Sequence, residues 1–288
     1  MKHTTKILMG ILVVIALILY TLYGAFFSAP KRITVRNEVL SSDKIPSSMD
    51  GVKITFFSDM EYGLFVDEER LNTLVTTINN TASDIVIFGG DLFEETVTPD
   101  ETMTASISDA LSSIEAPLGK FAVYGDNDRR DETMLTSVDT ILKNGNFEVL
   151  NNTSIALRNR SNGSISLVGI DNTINGTPDT TAAYQNVSHS NYVIAVSHVP
   201  SIVDELPSDL TDYCLAGHTH GGQVWWFFNS LYAPVGSEEY LRGKETTSSG
   251  IVLDITNGTG TTSKDVRFLS DAEIVCYTLE STETQTSE

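Results

Sequence analysis

Five apolar runs in this chain each end, within three residues, in a carboxylate or an imidazole. Ile54-Thr55-Phe56-Phe57 leads into Ser58-Asp59-Met60-Glu61, and Ile85-Val86-Ile87-Phe88 into Gly89-Gly90-Asp91. Phe121-Ala122-Val123-Tyr124 leads into Gly125-Asp126-Asn127-Asp128, and Tyr192-Val193-Ile194-Ala195-Val196 into Ser197-His198. Tyr213-Cys214-Leu215-Ala216 leads into Gly217-His218-Thr219-His220-Gly221-Gly222-Gln223. Short apolar runs bounded by glycine read as buried strands. In open α/β sheets, ligands gather beyond the C-terminal ends of the strands. Any one of these acids alone would read as a helix cap or turn former. Five together read as one constructed site. Glycines on either side of His218 and His220 let the backbone turn sharply. Residues two apart in an extended segment share a face, so both imidazoles can address one point. Imidazole is the commonest metal ligand.

In their order and spacing, these motifs resemble those of the calcineurin-like metallophosphoesterase superfamily. That pattern runs D-x-H, G-D, G-N-H-D, a lone His and G-H-x-H. This chain offers Asp59-Met60-Glu61, Gly90-Asp91, Gly125-Asp126-Asn127-Asp128, His198 and His218-Thr219-His220. The longer GHTHGGQ form, with Asn257-Gly258-Thr259-Gly260 and Val266-Arg267-Phe268 further on, is similar to the membrane-anchored bacterial branch. The resemblance implies a four-layer αββα sandwich and two metal ions. Asp59, Glu61, Asp91 and His220 would hold one ion, and Asp91, Asp126, His198 and His218 the other, with Asp91 bridging. Two divalent ions about 3.5–4 Å apart clamp a phosphoryl group. The implied reaction is hydrolysis of a phosphodiester or pyrophosphate.

Three positions depart from that pattern. Glu61 stands where His is usual, Asp126 where Asn is usual, and Asn127 where a His serves the leaving group. The ligand set would then carry four carboxylates in place of two, which favours hard ions. Mn²⁺ is the first expectation, with Mg²⁺, Fe or Zn²⁺ as alternatives. Asn127 cannot act as a general acid, a role worth roughly 10²–10⁴-fold. Together with Asp128 and Arg129 it completes the catalytic candidates, Arg129 or Arg130 being available to stabilise charge. A solvated arginine pair is the plainer reading. The same departures open a second function: a metal- or ligand-binding surface domain with little catalysis.

Ile7 to Phe27 is almost continuously apolar. It is long enough to cross about 30 Å of hydrocarbon as a helix. It is longer than a signal-peptide core, and Pro30 spoils the cleavage site. Residues 1–30 therefore read as a single-pass anchor. Basic residues flank it on both sides, so charge does not orient it. The anchored relatives imply a catalytic body outside the cytoplasm, at the cell membrane. The chain carries a formal net charge of −20. Lys2, Lys6, Lys31, Arg32 and Arg36 precede its first acid, so the body is more negative still. Such a field repels nucleic acid. The resemblance and the anchor imply a phosphorylated small molecule or a lipid-linked substrate, such as a glycolipid or cell-wall precursor, and oligomeric state stays open.

Residues 31–50 read as a short lead-in, 51–280 as one domain and 281–288 as a disordered tail. Helices are expected over Glu68–Asn80, Asp100–Ile114 and Asp131–Asn144, from apolar residues at helical spacing. Strands are expected over Glu148–Arg158, Ser164–Ile170, Gly250–Thr256 and Ala272–Leu279. Cys214 and Cys276, the only cysteines, lie in apolar runs and read as buried thiols. Trp225-Trp226-Phe227-Phe228 follows the histidine motif. About half of four extended aromatics must face outward. The run suits a loop packed on the sandwich or an apolar surface beside the metals.

Overall fold

In the computed structural model, which describes residues 2–283, a long helix α1 (Lys2–Tyr23) passes through a π-helical turn and a short 3-10 turn directly into strand β1 (Ile33–Ser42). The helical stretch His3–Lys31 is long and apolar enough to cross a membrane, and none of its most apolar window is buried. There follow β2 (Lys53–Phe57), α2 (Glu68–Asn80), β3 (Ile85–Phe88), α3 (Glu101–Ser112), β4 (Gly119–Ala122), α4 (Glu132–Asn144) and β5 (Phe147–Val149). The second half contains β6 (Thr153–Arg158), β7 (Ser164–Gly169), α5 (Thr180–Tyr184), β8 (Val193–Val196) and β9 (Tyr213–Ala216). It closes with β10 (Trp225–Trp226), β11 (Asn229–Ser230), β12 (Gly243–Thr246), β13 (Val252–Ile255) and β14 (Ala272–Ser281).

Two six-stranded sheets face each other, in the orders β1-β14-β2-β3-β4-β5 and β12-β13-β9-β8-β7-β6. Strands β2 to β5 are parallel, as are β7, β8, β9 and β13. Because strand side chains alternate, each sheet buries two faces. Ile54, Phe56, Ile87 and Val123 meet Leu167, Ile194 and Leu215 between the sheets. Phe57 and Phe88 point the other way, onto Leu71 and Leu74 of α2 and Val138 and Ile141 of α4. The second sheet's outer face is covered more thinly, by α5 and by the 3-10 segment Pro200–Glu205. The architecture is the expected four-layer αββα sandwich.

Asp67, Asp100, Asp131 and Asp179 each cap a helix, the side chain accepting the N–H three residues on. Glutamates follow the first three caps, so part of the acidic excess lies at positive helix ends. Cys214 and Cys276 are buried free thiols.

Three expectations need correction. The supposed lead-in 31–50 contains the ten-residue strand β1, paired in parallel with β14 along its whole length. It is an edge strand with one exposed face, so no continuous apolar run announces it. Its Arg36 reaches across to Asp254 on the other sheet, at 2.7 Å. The run Glu148–Arg158 is two strands rather than one: β5 ends the first sheet and β6 edges the second, so this segment is the crossover between them. At the other end, β14 continues through Ser281, and residues 284–288 of the expected tail lie outside the described residues.

Candidate metal centre

The seven ligand candidates all sit at C-terminal strand ends. Asp59 and Glu61 follow β2, Asp91 follows β3, Asp126 follows β4, His198 follows β8, and His218 and His220 follow β9. Because the strands are parallel in both sheets, these ends share one edge of the sandwich. Five of the seven residues (Asp59, Glu61, Asp91, His218 and His220) have φ between 50° and 69°. Left-handed backbone is costly for non-glycine residues and collects at functional sites. Two glycines permit the close approach of these turns. A methyl group on Gly125 would lie 1.9 Å from Asp91 Oδ1, and one on Gly217 would lie 2.1 Å from Ser58 Oγ.

The seven side chains fall into two groups: Asp91, Asp126, His198 and His218; and Asp59, Glu61 and His220. His198 Nε2 lies 3.2 Å from both Asp91 Oδ2 and Asp126 Oδ1. His218 Nδ1 is 3.0 Å from Asp126 Oδ1, and His220 Nε2 is 3.3 Å from Glu61 Oε1. Asp59 Oδ1 stands between the groups, 3.8 Å from His198 Nε2 and 3.7 Å from His220 Nε2.

These donors fit cations. His198 Nδ1 faces the Gly89 carbonyl at 2.7 Å, and His218 Nε2 faces the Val235 carbonyl at 2.8 Å. Each carbonyl takes an N–H, which leaves the other ring nitrogen for a metal. Asp126 Oδ1 and His198 Nε2 are buried and have no hydrogen-bond partner among the described residues, as expected of atoms that share a cation. Burial, then Asp91 and Asp59, push Glu61 well above the ordinary carboxylate range. Burial likewise raises Asp91 to about 6, against the pull of His198. Burial opposes charge on His198, but Asp91, Asp126 and Asp59 outweigh it and hold the imidazole well above its usual value. Burial also opposes charge on Asp126, but His198 and His218 hold it low. Burial takes His220 down to about 4, which leaves it neutral and able to bind metal. Four acids in so little space call for positive charge, and a bound cation would displace the proton that His198 otherwise holds.

The groups open onto a cavity of about 260 Å³ lined by Glu61, Asp91, Asp126, Asn127, His218 and Arg130, among others. Asn127 stands at its wall, with Nδ2 3.5 Å from Glu61 Oε2. Asp128 and Arg129 are not part of that lining. The Asp128 carboxylate is fully buried and accepts the backbone N–H groups of Asp91, Leu92 and Gly125 at 2.8–2.9 Å. It fixes the loops that carry Asp91 and Asp126, which is a positioning role. Arg129 pairs with Asp171 at 2.5 Å and stacks on Tyr124, so it is neither solvated nor aimed at the cavity. Arg130 is the arginine that lines the cavity, tethered by the Val97 carbonyl at 3.1 Å. The expected result for Asp128→Ala is a roughly 10–100-fold loss of metal affinity with every ligand still present, read by chelator competition.

Two residues of the site received no role from the sequence, although Arg267 lies in the Val266-Arg267-Phe268 motif noted there. The Tyr232 ring meets His220 edge-on, with centroids 5.6 Å apart, and lines the cavity. Arg267 is fully buried and donates to the carbonyls of His220, Asn257, Gly258, Gly260 and Ser270. It ties the histidine turn to the Asn257–Gly260 loop that packs on Asp59. Burial lowers its guanidinium to about 10, still charged at neutral pH. The signal was a lone arginine between Val266 and Phe268 close after a glycine-rich segment, since a buried guanidinium needs free carbonyls. Arg267→Ala should cost about 3 kcal/mol through the carbonyls left unpaired. For a domain of this size, melting should fall by about 6–12 °C, as scanning calorimetry would register.

The calcineurin-like phosphoesterase family profile matches residues 52–222. The metallophosphoesterase YkuE of Bacillus subtilis is 29% identical over 263 residues, which cover 90% of each chain. A transmembrane protein with a metallophosphoesterase domain from Danio rerio is 25% identical over 285 residues, covering 92% of this chain and 61% of that one. The phosphodiesterase YaeI of Escherichia coli is 28% identical over 198 residues, covering 66% of this chain and 69% of that one. With the two donor groups, these likenesses suggest a binuclear site for divalent metal. The chain belongs to the calcineurin-like phosphoesterase family.

Proposed function

We propose that this protein is a membrane-anchored phosphoesterase that hydrolyses a phosphodiester or pyrophosphate with two divalent cations. Asp59, Glu61, Asp91 and His220 would hold one, and Asp91, Asp126, His198 and His218 the other. The observation that carries this reading is the pair of histidines whose outer nitrogens are engaged by the Gly89 and Val235 carbonyls. Their inner nitrogens converge with four carboxylates beside one cavity. Such ions supply Lewis acidity and lower the pKa of a bound water to near neutrality. Mn²⁺ is the ion favoured by so many carboxylates, with Mg²⁺, Fe or Zn²⁺ as alternatives.

The chain's own residues do the rest. Arg130 gives the cavity wall a positive charge that draws a phosphate into an otherwise acidic body. The Asn127 amide can donate a hydrogen bond to a phosphoryl oxygen but cannot protonate a departing one. Helix α1 would span the cell membrane once, with the acidic domain on the extracytoplasmic side. The Danio rerio relative is named as a transmembrane protein, which supports the anchor.

A second reading is a surface domain that binds metal or phosphate with little turnover. The diversion of Arg129 to Asp171 and the amide at position 127 favour it. Elemental analysis together with turnover of bis-p-nitrophenyl phosphate in Mn²⁺ separates the two. Two metals with turnover support the enzyme, two metals without it support the binding domain, and an absence of metal overturns both.

A further inference from the structure

A second cavity, of about 390 Å³, lies where the end of α1 meets the body. Leu22, Ala25 and Phe26 form its helix side, and Trp226, Leu231 and Phe268 face them. Among the described residues no carboxylate lines it, in a chain where acids outnumber bases by 38 to 18. Tyr232 and Thr262 line both this cavity and the metal cavity, so the two adjoin through a shared wall. The helix is docked rather than loosely tethered, because Arg267 N–H donates to the Ala25 carbonyl at 3.0 Å. The cavity is therefore walled on one side by the helix that would leave the bilayer.

The aromatic run adds an independent observation. Trp225 is held inward, its Nε1 donating to the Gly221 carbonyl and Arg242 lying over its ring. Trp226, Phe227 and Phe228 are 61, 78 and 97% exposed. Trp225 pairs with Ser230 and Trp226 with Asn229, so Phe227-Phe228 is the tip of a two-residue hairpin. Such tips favour Gly, Asn and Asp, because they need positive φ. Phe227 adopts φ 57° here despite its bulk. A strained, fully apolar tip beside a membrane helix is what an interface-dipping loop requires.

We propose that this apolar cavity takes an acyl chain of a lipid phosphoester substrate while its phosphate lies in the adjoining metal cavity. The inference rests on the phosphoesterase reading for its chemistry, and on the shared wall and helix contact for its substrate class. The hairpin tip and the end of α1 would sit at the bilayer surface, so a chain could pass from the membrane into the cavity without crossing water.

The test uses the full chain in nanodiscs and two p-nitrophenyl alkyl phosphates, methyl and octyl, which share one scissile bond and leaving group. Each buried methylene is worth roughly fourfold, so the octyl ester should exceed the methyl ester in kcat/KM by about tenfold or more. Leu22→Trp and Leu231→Trp fill the cavity from opposite sides, and either should bring the ratio close to one. Partition into the disc is common to all three proteins, so the cavity alone separates them. A wild-type ratio near one, or a ratio unchanged in both variants, overturns the proposal. If neither ester turns over, the phosphoesterase reading fails by itself. The acyl site is then decided by calorimetric binding of octyl against methyl phosphate to the same proteins. A preference for octyl that both variants lose supports the site, and equal binding refutes it.

Discussion

Replacing Asp91 with Ala should release both cations, lowering the metal content from two equivalents to none and turnover by at least about 10³-fold. Three observations support so large an effect. Asp91 Oδ2 lies 3.2 Å from His198 Nε2 in one donor group. Asp91 is also the strongest charge acting on Glu61 in the other. Its Oδ1 accepts the Asn127 N–H at 2.9 Å, so the carboxylate helps set the wall of the cavity too. The comparison is Glu61→Ala, which should lose one equivalent and keep the other. Asp91→Asn guards against a folding artefact, because the amide keeps the shape and removes the charge. Elemental analysis of protein purified in Mn²⁺ reads the result. A full metal complement in either Asp91 variant would show that this carboxylate is not shared.

Asn127→His should have the next largest effect, and in the opposite direction. The chain has five histidines. Three are in the donor groups, His3 lies in α1, and His189 is exposed beside Asp209. No imidazole is left to protonate a leaving group. Tyr232 does not replace one, because burial and the surrounding carboxylates push its phenol above its already high pKa. The leaving group must depart largely unprotonated, so rate should depend steeply on its pKa. Aryl esters and pyrophosphates should be favoured over alkyl esters. A histidine at position 127 should flatten that dependence and help alkyl esters most, by up to roughly 10²–10⁴-fold. Rates across phosphodiesters of graded leaving-group pKa, for wild type and variant, provide the check. Equal slopes would assign the departing oxygen to another group, with Arg130 the nearest candidate.

The donor residues were legible because each is local to the strand that carries it. A run such as Ile85-Val86-Ile87-Phe88 followed by Gly89-Gly90-Asp91 announces strand, turn and chemistry within seven residues. Helices α2 and α4 were legible for the same reason, since their apolar stripes and aspartate caps are short-range signals. What escaped the reading depends on distant partners. Strand β1 alternates only weakly, and its inward Arg36 is explained only by Asp254 on the opposite sheet. The break at Leu150–Asn152 carries no proline or glycine, so only the second sheet shows that the chain has changed layers. Arg129 read as a candidate for charge stabilisation because it lies just downstream of the Gly125–Asp128 motif, whereas its partner Asp171 lies beyond α4 and three intervening strands. Tyr232 and Arg267 belong to loops whose function comes entirely from what they pack against.

The parallel pairing of β1 with β14 has a consequence for how the molecule is made. Strand β14 lies inside its sheet, between β1 and β2, although it comes last in chain order among the described strands. Until it arrives, β1 has no neighbour and β2 lacks one, so the strand that follows α1 waits unpaired while the rest of the body is synthesised. Contacts of such long sequence separation form slowly. The aspartate turn after β2 and the Gly258–Gly260 loop that packs on it are brought into contact by the same late insertion. A nascent chain with this topology should depend on helpers that shield an open sheet edge until β14 has been made.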